Sequence, residues 1–266
     1  MNIAIVTGAS SGMGREFVLQ LSQYVEVDEI WAIARRTDAL EALKAKSTVP
    51  VRPISMDLCA DSRFDALAKL LETENPDIRL LVNAAGFGKF GSYRYISAED
   101  ECRMIQLNCT ALVRMTRLAL PYMHSGSHIL QLDSLSAFQP VPFLNTYAAT
   151  KHFVLAYSRG LNQELKGTGI RCMAMNPGWV KTEFFNHAFQ TNEACEVQYF
   201  NHLYEAKDVV STGLKDLYKP RKDYSVHGLP IKAQVLMVKC LPHSLVMKIW
   251  QAQQKHPKNN VGLTTK

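Results

Sequence analysis

A phenol, an ammonium group and a hydroxyl occur in an order that could move a proton to or from a carbonyl oxygen. Tyr147 and Lys151 are four residues apart, and Ser134 lies thirteen residues before the tyrosine. At positions i and i+4 of a helix, Tyr147 and Lys151 share one face. A free tyrosine ionises near a pKa of about 10. A neighbouring ammonium is expected to stabilise the phenolate and bring it toward a useful acid–base range. Ser134, at the end of a strand, would hydrogen-bond the reacting oxygen. Asn108 could hold a water that links Lys151 to solvent. Tyr218 and Lys222 repeat the spacing, but Pro220 between them disfavours a continuous helix. Only the first pair is a candidate.

A second constellation could hold the partner in such chemistry. Thr7, Gly8, Ser10, Ser11, Gly12, Met13 and Gly14 form a glycine-rich turn after the first apolar run. Glycines there let the backbone turn tightly and approach a pyrophosphate. A helix starting at about Gly12 would point free N–H groups and its positive dipole end at phosphates. The stretch 86–91 matches Gly-x-Gly-x-x-Gly literally, but no helix start follows it, so it reads as a flexible loop. The second strand ends in Ala34-Arg35-Arg36. A site for NAD usually places a carboxylate here for the ribose 2′-hydroxyl, whereas guanidinium groups suit a 2′-phosphate. Arg35 and Arg36, with Arg15 nearby, therefore favour NADP(H) over NAD(H). Asp57, next to Leu58, could take a hydrogen bond from an adenine amino group. Lys151 could also bind the nicotinamide ribose hydroxyls.

The elements that must position these groups are legible as short apolar runs alternating with amphipathic stretches. Strands are expected at 2–7, 29–34, 51–56, 79–83, 128–133 and 170–176. Helices are expected near 37–46, 61–74, 98–123 and 145–166. The strands lack polar alternation, as expected when both faces of a sheet are covered. Repeated βαβ units imply a parallel sheet with right-handed crossovers. The fold class is α/β, a doubly wound parallel sheet in three αβα layers. No repeat, low-complexity tract or linker divides the chain. One domain over 1–266 is the reading, with a cofactor and catalytic core at 1–182 and a substrate loop and C-terminal helical extension at 183–266.

Composition bounds the function. The 266 residues are 47% hydrophobic and carry a formal charge of +6, with the basic residues scattered. This fits an anionic cofactor and a basic surface better than nucleic acid. The six cysteines, at 59, 102, 109, 172, 195 and 240, form no Cys-x-x-Cys pair and have no His cluster beside them. They read as free thiols, with no metal site. No leader or membrane-spanning stretch is evident, so the expected location is the cytoplasm.

Taken in order, Thr7 through Gly14, Asp57, the Asn83-Ala84-Ala85-Gly86 stretch, Asn108, Ser134, Tyr147 with Lys151, and Asn176-Pro177-Gly178 followed by Val180 and Thr182 resemble the short-chain dehydrogenase/reductase family. The resemblance covers roughly 1–182. It implies a Rossmann sheet, hydride transfer from NAD(P)H, and a Ser/Tyr/Lys/Asn active site. It also implies that Asn83, Ala84, Gly86, Pro177 and Gly178 border the cofactor, with Val180 and Thr182 near the nicotinamide carboxamide. Homodimers or homotetramers through the helices at 98–123 and 145–166 are common in such proteins. Two departures stand out: Ala84 replaces a customary Asn, and Asp133 precedes Ser134 where a serine is common.

Apolar residues should form the substrate pocket: Leu135, Phe138, Phe143, Leu144, Phe87, Trp179 and the aromatic segment 184–204. They favour a bulky hydrophobic ketone or secondary alcohol of steroid, bile acid or fatty acyl type over a sugar or nucleotide. At 231–255, Leu241-Pro242-His243 should interrupt a lysine-punctuated amphipathic stretch. Leu245, Ile249 and Trp250 are expected to pack on the body of the protein or a partner subunit. Two other readings are an NADP-binding regulatory protein without turnover and a peripheral membrane lipid-ketone reductase with 231–255 on lipid.

Overall fold

A computed structural model describes residues 1–189, 196–220 and 222–255. Cys195 and the last eleven residues of the expected extension lie outside them. Six βα repeats build a seven-stranded parallel sheet in the order β3-β2-β1-β4-β5-β6-β9. Its strands are β1 (Asn2–Thr7), β2 (Glu29–Ala34), β3 (Val51–Ser55), β4 (Asp77–Asn83), β5 (His128–Leu132), β6 (Arg171–Met175) and β9 (Tyr224–Ser225). Ile3, Ile5, Ile30, Leu80, Leu81, Val82 and Leu130 are fully buried, as strands covered on both faces must be. The order reverses direction beside β1, between β1 and β4. Loops leaving the carboxyl ends of those two strands diverge there and open a crevice.

Helices α1 (Gly12–Gln20), α2 (Thr37–Lys44) and α3 (Asp61–Glu74) follow the first three strands. Two helices, α4 (Ala98–Ile105) and α5 (Leu112–Ala119), are joined without a break by wider π-type turns over Gln106–Ala111. Ser97 caps α4 by accepting from the Asp100 N–H at 3.1 Å, and three acidic residues occupy the first turn. Both features favour a helix start. Tyr147 and Lys151 ride on α6 (Asn145–Glu164). Just before it, Phe143 has φ +68°, a left-handed conformation that costs a bulky residue steric strain.

The C-terminal third departs from the simple alternation. A two-stranded parallel ribbon pairs β7 (Trp179–Lys181) with β8 (Leu203–Glu205), and α7 (Phe184–Ala188) lies between them in the chain. Then come α8 (Ala206–Leu217), α9 (Leu229–Cys240) and α10 (His243–Lys255). The break expected at Pro242 separates α9 from α10. Sequence reading missed β7, β8 and β9. At two or three residues each, they are too short for a periodic signal.

Candidate active site

Ser134 lies two residues past the end of β5, and Tyr147 and Lys151 lie in the first turns of α6. The fold brings all three to one cavity. The Ser134 and Tyr147 side chains share a hydrogen bond. Lys151 Nζ donates to the Leu132 carbonyl at 2.8 Å and stands 5.6 Å from the centre of the Tyr147 ring. On its other side the Tyr147 ring meets Phe184, with centroids 5.5 Å apart. Gly88 passes so close that a Cβ there would lie 2.8 Å from Tyr147 Cδ2 and 2.9 Å from Phe184 Cζ. Only glycine fits that passage.

Asn108 sits in the π-type turns and is 1% exposed. Its amide donates to the Phe87 carbonyl at 2.9 Å and to Thr150 Oγ1 at 3.1 Å, and its Oδ1 accepts from the Phe87 N–H at 3.1 Å. The side chain therefore clamps the 86–88 loop to α6. Both amide N–H groups are thereby committed to the loop and to α6.

The electrostatics differ from expectation at the tyrosine. Burial pushes the Tyr147 phenol up from its ordinary value, the Ser134 hydrogen bond opposes this, and the Asp133 carboxyl adds to it. The lowering expected from Lys151 does not prevail, because desolvation dominates and the ammonium points at the Leu132 carbonyl. Lys151 is pulled down by burial and held up by Asp133 and Cys109. Asp133 is 2% exposed. Burial drives its carboxyl well above the usual range against the pull of Lys151 and Asn176. Asn176, fully buried, donates to both Asp133 Oδ2 and the Ser134 carbonyl. The sequence marked Asp133 as a departure. Its proximity to Lys151 depends on how the end of β5 packs against α6 and was not legible.

The glycine turn opens a cleft beside this cavity. Gly8, Ser10, Ser11, Gly12, Met13, Gly14, Arg35, Arg36, Asp57, Leu58, Ala84, Gly86 and Thr182 line it. Pro177, Gly178 and Val180 line the catalytic cavity. Met13, Ala84, Gly86, Thr182 and Phe184 border both spaces. A Cβ on Gly14 would come within 2.1 Å of the Gly8 carbonyl, so α1 can pack on the turn only with glycine there. The start of α1 carries no acidic residue in its first turn and no side-chain cap, which leaves its N–H groups free for an anion. Arg36 pairs with Glu183 at 2.9 Å and reaches the Ser10 carbonyl at 3.2 Å. Lys89 and Arg103, which sequence reading passed over, also face this cleft. The donor set thus fits a phosphorylated dinucleotide.

Two of the expected cofactor residues stand behind the cleft wall. Thr7 is 1% exposed, and its hydroxyl accepts from the N–H groups of Ala84 and Ala85 at 3.0 and 3.1 Å. Asn83 is 3% exposed and donates to Thr116 and Gln131. Both residues shape the turns that border the cleft, and neither lines it. Asp57 does line it, while its Oδ1 also accepts from the Cys59 N–H at 3.0 Å.

The catalytic cavity encloses about 1020 Å³, open mouth included. Leu135, Leu144, Trp179, Phe184 and Tyr199 line it as expected. Phe143, Phe185, Phe189 and Phe200 instead build the aromatic core around Phe90, and Phe138 packs edge-on to Tyr224 at 5.5 Å. Phe87 borders the cofactor cleft. An aromatic run signals burial without saying which rings face a void. The cavity is also lined by amides that sequence reading missed: Gln139, Asn201, Gln234 and Gln253. Among the described residues, no group of three or more His, Cys, Asp or Glu is placed to hold a metal ion.

A doubly wound sheet with a phosphate-type cleft and a Ser/Tyr/Lys cluster at its switch point defines a dinucleotide-dependent oxidoreductase. Residues 2–193 match the family model for short chain dehydrogenases. An uncharacterised oxidoreductase of Staphylococcus epidermidis is 30% identical over 68% of this chain and 78% of its own length. An NADP-dependent 3-hydroxy acid dehydrogenase of Schizosaccharomyces pombe is 31% identical over 68% of this chain and 72% of its own. A short-chain dehydrogenase from Sphingobium yanoikuyae, solved in complex with NADPH, superposes with a TM-score of 0.74 at 25% identity and covers 98% of both chains. The chain belongs to the short-chain dehydrogenase/reductase family. It is an oxidoreductase acting between CH–OH and C=O groups.

Proposed function

We propose that this enzyme interconverts a bulky, neutral, apolar ketone and its secondary alcohol with NADP(H), NAD(H) being the less favoured cofactor. The observation that carries the reading is the Ser134–Tyr147–Lys151 cluster, set where an apolar cavity meets an arginine-edged cleft. NADP-linked relatives support the cofactor. So do Arg35 and Arg36, which directly follow β2 where an NAD site usually has a carboxylate. Arg36 and Ser10 would hold the 2′-phosphate, the start of α1 the pyrophosphate, and Lys151 the nicotinamide ribose.

Bound in that cleft, the reduced nicotinamide supplies the hydride. The protein handles the proton. Ser134 donates a hydrogen bond to the carbonyl oxygen, and the Tyr147 phenol gives it a proton. Lys151 then steadies the phenolate by its charge, and Asn108 keeps the loop and α6 in register. A raised phenol pKa suits the reducing direction, because it keeps Tyr147 protonated and ready to donate.

Substrate class follows from the cavity wall. Leu135, Val141, Leu144, Trp179 and Trp250 give it an apolar body, and the amides that also line it are neutral. Apart from Asp133 and Lys151 at the chemical end, no charged side chain among the described residues lines it. A carboxylate or phosphate on the substrate would find no cation there. The amides suit a hydroxyl or carbonyl at the distal end of a steroid-like or acyl-chain molecule. Ile105 and Phe153 are 49% and 43% exposed on packed α4 and α6, and Phe153 stacks on Tyr157. We assign this face to homo-oligomer formation.

A panel of neutral and carboxylated ketones, followed by NADPH absorbance with wild type and Tyr147→Phe, tests the proposal. Turnover of neutral bulky ketones, lost in the variant, is expected. Preference for carboxylated ketones would overturn the substrate class.

A further inference from the structure

Helix α9 is apolar on opposite sides. Ile231, Val235 and Val238 are buried against the body, whereas Leu229, Leu236 and Met237 are 79%, 66% and 55% exposed. The exposed three recur at i, i+7 and i+8, one stripe of an α-helix. Helix α10 repeats the arrangement. Val246, Trp250 and Gln254 are buried, while Leu245 and Ile249, four residues apart, are each 44% exposed. A soluble surface helix turns its polar face outward, and an apolar outer stripe on two consecutive helices calls for something to cover it.

Charge identifies the cover. From Leu229 to Lys255 there is no Asp or Glu, and Lys232, Lys239, Lys248 and Lys255 are all exposed. Each helix carries its two lysines seven residues apart, so each pair lies along one edge of its apolar stripe. Lys239 turns back to the Tyr224 hydroxyl at 3.0 Å. The lysine ion pairs among the described residues involve Lys44, Lys89, Lys181, Lys219 and Lys222, none of them on α9 or α10. A second copy docked by a twofold axis would bring this face against itself, lysines opposing lysines with no carboxylate to pair them. An anionic bilayer offers what the face lacks: apolar depth for the leucines and negative charge for the lysines.

We propose that α9 and α10 form a docking face for an anionic lipid surface, with the exposed stripes seated in the headgroup region. No described helix is long and apolar enough to span the bilayer, so the contact is interfacial. The same two helices wall the catalytic cavity through Gln234, Trp250 and Gln253. Docking therefore places the cavity mouth beside the lipid. Delivery of an apolar ketone from the membrane rests on the proposed function, whereas docking does not.

Flotation of the full chain with vesicles of phosphatidylglycerol in phosphatidylcholine, against pure phosphatidylcholine, tests docking without reference to activity. The expected result is flotation with the anionic vesicles only, reversed by high salt. Lys232→Gln with Lys248→Gln should weaken it at least about tenfold, as should Leu236→Ser with Leu245→Ser. These residues are exposed, so the variants should keep the wild-type melting temperature and turn over a water-soluble ketone unchanged. Protein that stays unbound with anionic vesicles would overturn the proposal. So would equal binding to neutral vesicles, or a dimer in solution that Leu236→Ser dissociates.

Discussion

Asn176 holds Asp133 and Ser134 with one amide group: its nitrogen donates to the Asp133 carboxylate and to the Ser134 carbonyl. The loop bearing the substrate-facing hydroxyl is thus tied to a buried acid whose charge acts on Lys151 and Tyr147. The Asp133 carboxylate opposes ionisation of the phenol. Its removal in Asp133→Asn should ease that ionisation. In the alcohol-oxidising direction, which needs the phenolate, the midpoint of the pH–kcat profile should move to lower pH. A midpoint that stays put or rises would show that Asp133 has no electrostatic hold on the tyrosine.

Tyr147→Phe should lower turnover by roughly a hundred- to ten-thousandfold, the usual cost of losing a general acid, with NADPH affinity nearly intact. Tyr218→Phe is the control. Its hydroxyl is buried without a partner, so its loss should leave activity alone and stability equal or higher. Equal loss of activity in both variants would displace the active site from α6.

Arg36 faces a choice between Glu183 and a 2′-phosphate. Their ion pair is about half exposed on both sides, a weak contact. Glu183→Gln should therefore tighten NADPH binding by up to about fivefold and leave NADH unchanged. Arg36→Gln should loosen NADPH selectively. Dissociation constants from fluorescence titration would read both, and a wild type that binds the two nucleotides equally would remove the assignment.

Trp250 is 9% exposed, and its indole donates to the Pro142 carbonyl at 2.9 Å. Trp250→Ala should cost about 3 kcal/mol of stability and raise KM for a bulky ketone without changing NADPH affinity. Urea unfolding and steady-state kinetics separate the two effects. An unchanged KM would place Trp250 in the core alone.

Burial lowers His128 to about 4, with the Arg171 charge adding to the effect. Above its unfolded value of about 6.5 the imidazole is neutral in both states. As pH falls below that, the unfolded chain takes up the proton first, so stability is lost between about pH 6.5 and 4. His128→Gln should flatten this slope in melting temperature against pH. An unchanged slope would assign the acid sensitivity to other groups.

The sheet was readable because its strands are buried on both faces and therefore uniformly apolar. Tyr147, Lys151 and Ser134 were readable because helix and strand spacing fix which neighbours can meet. What escaped depends on long-range packing. Leu245 and Ile249 share a helix with Trp250, but only Trp250 turns inward, and periodicity gives a face without saying what covers it. Thr7 and Asn83 were read as cofactor contacts from their place in the motifs. Their hydrogen bonds to backbone and neighbouring strands tie down the turns that border the cleft. The Gln139, Asn201, Gln234 and Gln253 wall is gathered from four separate segments.

The wide turns at Gln106–Ala111 impose a constraint on length as well as on composition. Removing one residue there to restore a plain helix would rotate everything beyond it by about 100° relative to α4. Asn108 would leave the 86–88 loop, and α5 would swing Met115 and Ala119 out of the sheet-facing core. The helical phase across this join is therefore a constraint in its own right, separate from the identity of the side chains. Chimeras with related enzymes should exchange 98–122 as one unbroken block.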